Sequence, residues 1–245
     1  MKDKQLIYGI RAVIEAIEAQ KPINKLFLQK GLKGDLYREL ETKIRKHGLS
    51  VSYVPIEKLN RLSTNNHQGA IAQISPIAFH DFEPLIEKLF EENKKPLLLL
   101  LDNVTDVRNF GAIIRTAECT GVDAIIVPKS GSAPITDDTV KTSAGAVFNV
   151  PIAKVDHLKD AIFYLQASDV KIIGASEKTD DSIYTVDFNL PTAILMGSEE
   201  KGISPSIIKM LDGKAKLPLL GSIGSLNVSV ACGVFLYEAL RQRMG

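Results

Sequence analysis

The chain has 245 residues, 45% of them hydrophobic and 24% charged, an ordinary globular composition long enough for one large domain or two small ones. The residues after Met1 lack the apolar run of a signal peptide, and the densest apolar stretch, Leu97–Leu101, is too short to span a bilayer, so a soluble cytoplasmic protein is expected. The net charge of +1 hides an asymmetry: residues 1 to 75 hold 13 Lys and Arg against 7 Asp and Glu, whereas residues 76 to 245 hold 17 against 22. A basic first third is the footprint of a nucleic-acid contact surface, although Lys43, Arg45 and Lys46 read equally as a solvated helix face.

In chain order, the pattern predicts a helix over Gly9–Gln20, a strand at Lys25–Leu28 and a helix over Asp35–His47 closed by Gly48. A strand at Val51–Val54, a short helix at Ile56–Arg61 and a strand at Ala70–Ile74 complete a small α/β unit ending near residue 75. Pro76 follows, and the charged amphipathic stretch Phe82–Asn93 ends at Lys94-Lys95-Pro96, so residues 76 to 96 read as a linker. From Pro96 onward, strands at Leu97–Leu101, Ala124–Val127, Val170–Ala175, Thr192–Met196 and Ala215–Leu217 alternate with helices. The helices are expected at Asn109–Thr120, Thr136–Ala144, His157–Ser168, Ser204–Leu211 and Leu226–Arg243. Strands rich in Val, Ile and Leu that alternate with helices predict a mostly parallel sheet covered on both faces over residues 97 to 245.

Several familiar chemistries have no support. Neither G-x-G-x-x-G after a first strand nor G-x-x-x-x-G-K-[ST] occurs, which takes most of the support from the usual dinucleotide and triphosphate readings. His47, His67, His80 and His157 are scattered without ligand spacing, so no metal is expected. Cys119 and Cys232 are far apart and read as small buried hydrophobes in a reducing compartment. Neither Ser198 nor Ser225 is accompanied by a His and Asp arrangement for hydrolysis.

Three blocks carry more information. They are Asn109-Phe110-Gly111-Ala112-Ile113-Ile114-Arg115-Thr116-Ala117, Gly197-Ser198-Glu199-Glu200-Lys201-Gly202 and Gly224-Ser225-Leu226-Asn227-Val228-Ser229-Val230-Ala231. Each sets polar side chains beside glycines or a helix start, where backbone approaches a ligand closely. Read from the residues alone, Asn109, Ser225 and Asn227 are also ordinary helix caps, Glu199 a loop acid, and Leu217 and Leu226 core. In this order, however, the blocks resemble the signature of the SpoU (TrmH-type) RNA ribose 2'-O-methyltransferases. Tyr8-Gly9-Ile10-Arg11-Ala12-Val13 and Asn66-His67-Gln68-Gly69 resemble pieces of that family's ribosomal-protein-like substrate-binding domain.

The resemblance implies a sheet whose C-terminal chain is threaded into a trefoil knot, an exception to unknotted topology. It implies S-adenosylmethionine bound in a bent conformation, with Gly197, Leu217 and Leu226 supplying backbone and apolar contacts. Asn109, Arg115, Glu199, Ser225 and Asn227 would form the catalytic centre. A ribose 2'-hydroxyl would attack the sulfonium methyl in line, with the guanidinium of Arg115, which stays protonated, acting as electrostatic stabiliser and phosphate anchor; the family's proposal of an arginine base stays open. RNA contacts are expected from Arg11, His67 and Arg115, and a homodimer through the last helix, with Val230, Val234, Tyr237 and Leu240 on the buried face or in the intrachain core. Within the family the likeness is nearest to enzymes that modify a guanosine of 23S rRNA, free or in an assembling large subunit. A tRNA ribose methyltransferase and a catalytically idle ribosome-assembly factor of the same fold are the alternatives.

Overall fold

Residues 6 to 92 and 95 to 245 are described by the computed structural model, and they fall into two units, residues 6 to 78 with Pro134–Asp137, and Phe79–Ala133 with Asp138–Gly245. The first unit runs β1 (Leu6–Tyr8), α1 (Ile10–Glu18), β2 (Ile23–Gln29), α2 (Asp35–Lys46), β3 (Val51–Val54), α3 (Ile56–Leu62) and β4 (Ala70–Ile74). Its sheet order is β1-β4-β2-β3, with β2 parallel to β3 and antiparallel to β4. Alternation along the central strands feeds two cores. Leu26, Leu28, Ala70 and Ala72 pack with Val13 and Ile14 of α1 and Leu40 of α2, while Phe27 and Ile71 pack with Leu59 of α3.

The second unit's elements are α4 (Phe82–Glu91), β5 (Leu97–Leu101), α5 (Val107–Cys119), β6 (Ala124–Pro128), α6 (Asp137–Thr142), β7 (Ile152–Val155), α7 (Leu158–Ala167), β8 (Lys171–Ala175), β9 (Thr192–Met196), α8 (Pro205–Ile208), β10 (Gly213–Ala215) and α9 (Val228–Arg243). The six strands form one all-parallel sheet in the order β10-β8-β9-β5-β6-β7. The five leucines of β5 are buried without alternation, as a strand covered on both faces requires. From β5 the chain moves to neighbouring β6, but from β9 it moves the other way, past β8 to β10. Where connections diverge in this way, a crevice opens outside the carboxyl ends of the two strands. Here those ends are Leu101 and Met196.

Several expectations need correction. The stretch read as linker, 76 to 96, contains a core helix: Leu85, Ile86 and Leu89 of α4 pack into the cluster formed by Leu98 and Leu100 of β5 and Ile162 of α7. Asn93 and Lys94, where that stretch was expected to end, lie outside the described residues, as do Met1 to Gln5. Two strands were not expected, β1 and β7, both short and both at sheet edges. The last helix starts at Val228, leaving Leu226 in the preceding loop. Cys119 is exposed, and Cys232 alone is a buried hydrophobe, its thiol pushed up to about 12 by burial.

Candidate active site

The site begins with two helix caps. Asp106, not Asn109, caps α5: its carboxylate accepts from the N–H groups of Arg108 at 2.9 Å and Asn109 at 2.8 Å. The side chain of Asn109 is thereby released from the role its position suggested. Asn227 does cap α9, its Oδ1 accepting from the N–H of Ser229 at 2.9 Å and of Val230 at 3.4 Å, and from the Ser229 hydroxyl at 2.6 Å.

That cap orients everything upstream. Since Oδ1 of Asn227 faces backbone donors, its Nδ2 must be the group that reaches Asn109 Oδ1, at 3.1 Å. The Asn109 amide is then also fixed, and its Nδ2 donates to Oε1 of Glu199. The result is a relay from the N-terminus of α9 through Asn227 and Asn109 to the carboxylate of Glu199. Each member comes from a different one of the three blocks.

Glu199 stands on a cross-braced loop. The Ser198 N–H donates to the Gly202 carbonyl at 3.1 Å, the Gly202 N–H returns to the Ser198 carbonyl at 2.9 Å, and the Lys201 N–H reaches the Ser198 hydroxyl at 3.2 Å. Gly197 has no alternative residue here, because a Cβ would lie 2.1 Å from the Gly202 carbonyl carbon and 2.2 Å from the Ile203 nitrogen. Beside this loop lies a cleft of about 250 Å³, walled by the ends of β8, β9 and β10 and by residues 225 to 235. Its apolar surface comes from Met196, Leu217, Leu219, Leu226, Val228 and Phe235; its polar surface comes from Ser176, Glu177, Lys178, Ser225 and the 198 to 202 loop.

The model of the SpoU rRNA Methylase family matches residues 96–237, and that of the RNA 2'-O ribose methyltransferase substrate-binding family matches residues 6–80. YacO of Bacillus subtilis, named as a TrmH family tRNA/rRNA methyltransferase, is 32% identical over 238 residues, covering 97% of this chain and 95% of the relative. The chain belongs to the SpoU (TrmH-type) family. Its activity is therefore RNA ribose 2'-O-methylation, and the family depends on S-adenosylmethionine. A Staphylococcus aureus member is 34% identical, with 97% of this chain and 96% of the relative covered. Among solved structures, the SpoU methyltransferase AviRb of Streptomyces viridochromogenes is 26% identical with a TM-score of 0.62, covering 98% of this chain and 90% of that one. AviRb has also been solved in complex with AdoMet, at a TM-score of 0.61 and 25% identity, with the same coverage. The TrmH/SpoU tRNA-modifying enzyme of A. aeolicus is 31% identical with a TM-score of 0.56, but covers 66% of this chain and 85% of its own.

Within this SpoU chain the expected residues divide into groups. Asn109, Glu199 and Asn227 are joined by hydrogen bonds, and Gly197, Leu217, Ser225 and Leu226 line the adjoining cleft. Leu226 is exposed rather than core. Arg115 hydrogen-bonds to none of them. It stands exposed on α5, six residues after Asn109 and so about a third of a turn off its line. Sequence reasoning missed Ser176, Glu177 and Lys178, although their place after a parallel strand is the signal that ligand crevices follow.

In the first unit Arg11 is exposed on α1, whereas His67 has the bland role. His67 is buried: its Nδ1 accepts from the Gly69 N–H at 3.0 Å, which makes Nε2 the donor to Asn60 Oδ1 at 2.9 Å. Both ring nitrogens brace the loop, so nothing on the ring is left to read RNA. On α9, Val230, Val234 and Tyr237 form an exposed stripe and, with Tyr184, line a shallow apolar groove; Leu240 is half-buried. Among the described residues no helix is long and apolar enough to cross a membrane, and no cluster of three His, Cys, Asp or Glu could hold a metal ion.

Proposed function

We propose that the protein transfers a methyl group from S-adenosylmethionine to the ribose 2'-hydroxyl of a specific guanosine in 23S rRNA, free or in an assembling large subunit. The relay from Asn227 through Asn109 to Glu199, at the rim of an apolar cleft, is the observation that carries the catalytic reading. The cleft fits an adenosyl group: aliphatic and aromatic side chains offer packing to a base, and tightly turned backbone at 197 to 202 offers groups that read polar edges. Gly197, Leu217 and Leu226 would hold it there. Once bound, S-adenosylmethionine supplies an electrophilic methyl on a sulfonium centre.

The rest falls to this chain. Glu199 has one oxygen engaged by Asn109 and its other oxygen without a partner among the described residues. We assign that second oxygen the ribose 2'-hydroxyl: it holds the nucleophile in line through a hydrogen bond and takes up its proton as the oxygen gains the methyl group, the sulfonium being left as a neutral thioether. Asn109 and Asn227 keep the carboxylate in one rotamer, and Ser225 reaches the target nucleotide from the opposite wall. Arg115, exposed and without a hydrogen-bond partner among the described residues, anchors the adjacent phosphate and offsets charge that develops on the hydroxyl oxygen.

The first unit, with its basic excess and Arg11, supplies the RNA contact; residues 1 to 75 act as the substrate-binding domain, and residues 97 to 245, with α4 packed into their core, act as the methyltransferase domain. The tRNA-modifying enzyme of A. aeolicus matches only 66% of this chain, so a separate substrate-binding unit favours the larger RNA. We also infer trefoil threading of the C-terminal chain and a homodimer in which a second copy covers Val230, Val234 and Tyr237. Labelled methyl transfer to unmodified 23S rRNA, 16S rRNA and tRNA, followed by mapping of alkali-resistant linkages, tests the proposal. One resistant linkage at a guanosine of 23S rRNA is the expected result; label in tRNA alone refutes the substrate, and no label despite cofactor binding points to an assembling particle or an idle binding factor.

A further inference from the structure

The loop that carries Glu199 leaves β9 after Met196 and rejoins regular secondary structure at Ser204, the N-cap of α8. Both feet of this loop rest on one residue. The N–H of Asp102 donates to the Met196 carbonyl at 2.8 Å, and Oδ2 of Asp102 accepts from the Ser204 N–H at 2.7 Å. Oδ1 accepts from Nδ2 of Asn103 at 2.7 Å. Asp102 is 3% exposed, a level at which a carboxylate persists only when its hydrogen bonds are made.

Asp102 also begins the path to the other catalytic arm. Asn103 turns the chain through the left-handed region at φ 59°, and Asp106 then caps the helix that presents Asn109. The donor (Asn109) and the acceptor (Glu199) of the decisive contact therefore share one reference point, though they are 90 residues apart in sequence. Without the carboxylate the Met196 foot would keep its backbone hydrogen bond but the Ser204 foot would be released, so the cross-braced loop would keep its own shape yet swing about Met196, and Glu199 would drift from Asn109.

We infer that Asp102 is a positioning residue for methyl transfer: its buried carboxylate pins the Glu199 loop to the end of β5 and so sets the distance between Glu199 and Asn109. The inference rests on the proposed role of Glu199, and the two can be separated.

The test compares Asp102→Ala, Asp102→Asn, Glu199→Gln and a core control, Ile162→Ala, in the full chain. Each is assayed well below its own melting temperature, with kcat expressed per cofactor-binding site titrated calorimetrically. Asp102→Ala strands the Ser204 N–H and is expected to lower kcat per site about 30-fold, with cofactor affinity weakened less than about 5-fold. Asp102→Asn keeps one oxygen for Ser204 and is expected to recover kcat to within about 5-fold of wild type. Ile162→Ala lowers the melting temperature without changing kcat per site. Asp102→Ala at wild-type turnover beside an inactive Glu199→Gln overturns the role of Asp102 alone, and so does Asp102→Asn as impaired as Asp102→Ala. A fully active Glu199→Gln overturns the catalytic reading and this inference with it.

Discussion

Replacing Gly197 with alanine tests whether the 197 to 202 loop is held by backbone crossing. The added Cβ would meet three backbone atoms, the Gly202 carbonyl carbon at 2.1 Å, the Ile203 nitrogen at 2.2 Å and the Gly202 oxygen at 2.5 Å. Ordinary contact begins at 3.4 Å, so the two chain segments must separate by more than 1 Å. No flexible side-chain end is available to yield. Separation strains the paired hydrogen bonds between Ser198 and Gly202 at 3.1 and 2.9 Å and the Ser204 contact to Asp102 at 2.7 Å. Overpacking of this kind costs about 1–3 kcal/mol, and for a chain of this size each kcal/mol lowers the melting temperature by about 2–4 °C. A shift of ~1 Å in a positioned catalytic group lowers turnover on the order of 100-fold. The expected outcome for Gly197→Ala is therefore a folded protein that melts ~5–10 °C lower, with kcat down on the order of 100-fold and weakened cofactor binding. Gly221→Ala is the control, since nothing lies within 4 Å of its Cβ position. If Gly197→Ala binds S-adenosylmethionine and turns over like the Gly221 control, the loop is not held as described.

Arg115→Ala should reduce methyl transfer at least about 100-fold while leaving the circular dichroism spectrum and melting temperature unchanged, because an exposed residue without a hydrogen-bond partner among the described residues contributes charge rather than packing; retained turnover removes it from the mechanism. Arg243 ties the end of α9 to the carbonyls of Phe188 at 2.8 Å, Lys95 at 2.6 Å, Leu190 at 2.9 Å and Pro96 at 3.3 Å, and Arg243→Ala should cost about 2–3 kcal/mol in urea unfolding, with a loss below about 0.5 kcal/mol counting against the clamp. Glu238 is held well below the usual carboxylate value of 4.5, at about 2, chiefly by its hydrogen bond to Arg241 and then by Gln242. Its contribution to stability is thus present above pH 4.5 and lost as pH falls through about 2, so Glu238→Gln should melt below wild type at pH 7 and the gap should narrow steadily on acidification. A gap that is constant with pH would show that the charge is not the stabilising feature.

How much was legible depended on whether a residue's role is local. The strands β5, β6, β8 and β9 announce themselves because burial on both faces demands continuous apolar runs, and a parallel sheet follows from their alternation with helices. Strands β1 and β7 are no shorter than the edge strands β3 and β10, which were expected, and what fixes them is pairing with β4 and β6 rather than any pattern of their own. The α4 helix misled for the opposite reason. Its charged face is dense enough to read as a solvated linker, yet Leu85, Ile86 and Leu89 share one side that only the folded core reveals as occupied.

The candidate site shows the same division. The family resemblance selected Asn109, Glu199 and Asn227, but each also had a local explanation as a cap or loop acid, and nothing in one dimension decides between a cap and a contact. The decision comes from competition for the same donors: Asp106 satisfies the first turn of α5, so Asn109 is free, whereas Asn227 satisfies the first turn of α9 with one atom and reaches Asn109 with the other. His67 lost its functional reading by the same accounting, because the Gly69 N–H and the Asn60 side chain consume both of its nitrogens. Asp102 drew no attention in the sequence, since a carboxylate's hold on a backbone N–H 102 residues away leaves no trace in spacing. A polar residue in such a motif therefore has a functional claim to the extent that its local backbone donors are already served by another residue, and at Asn109 Asp106 serves them.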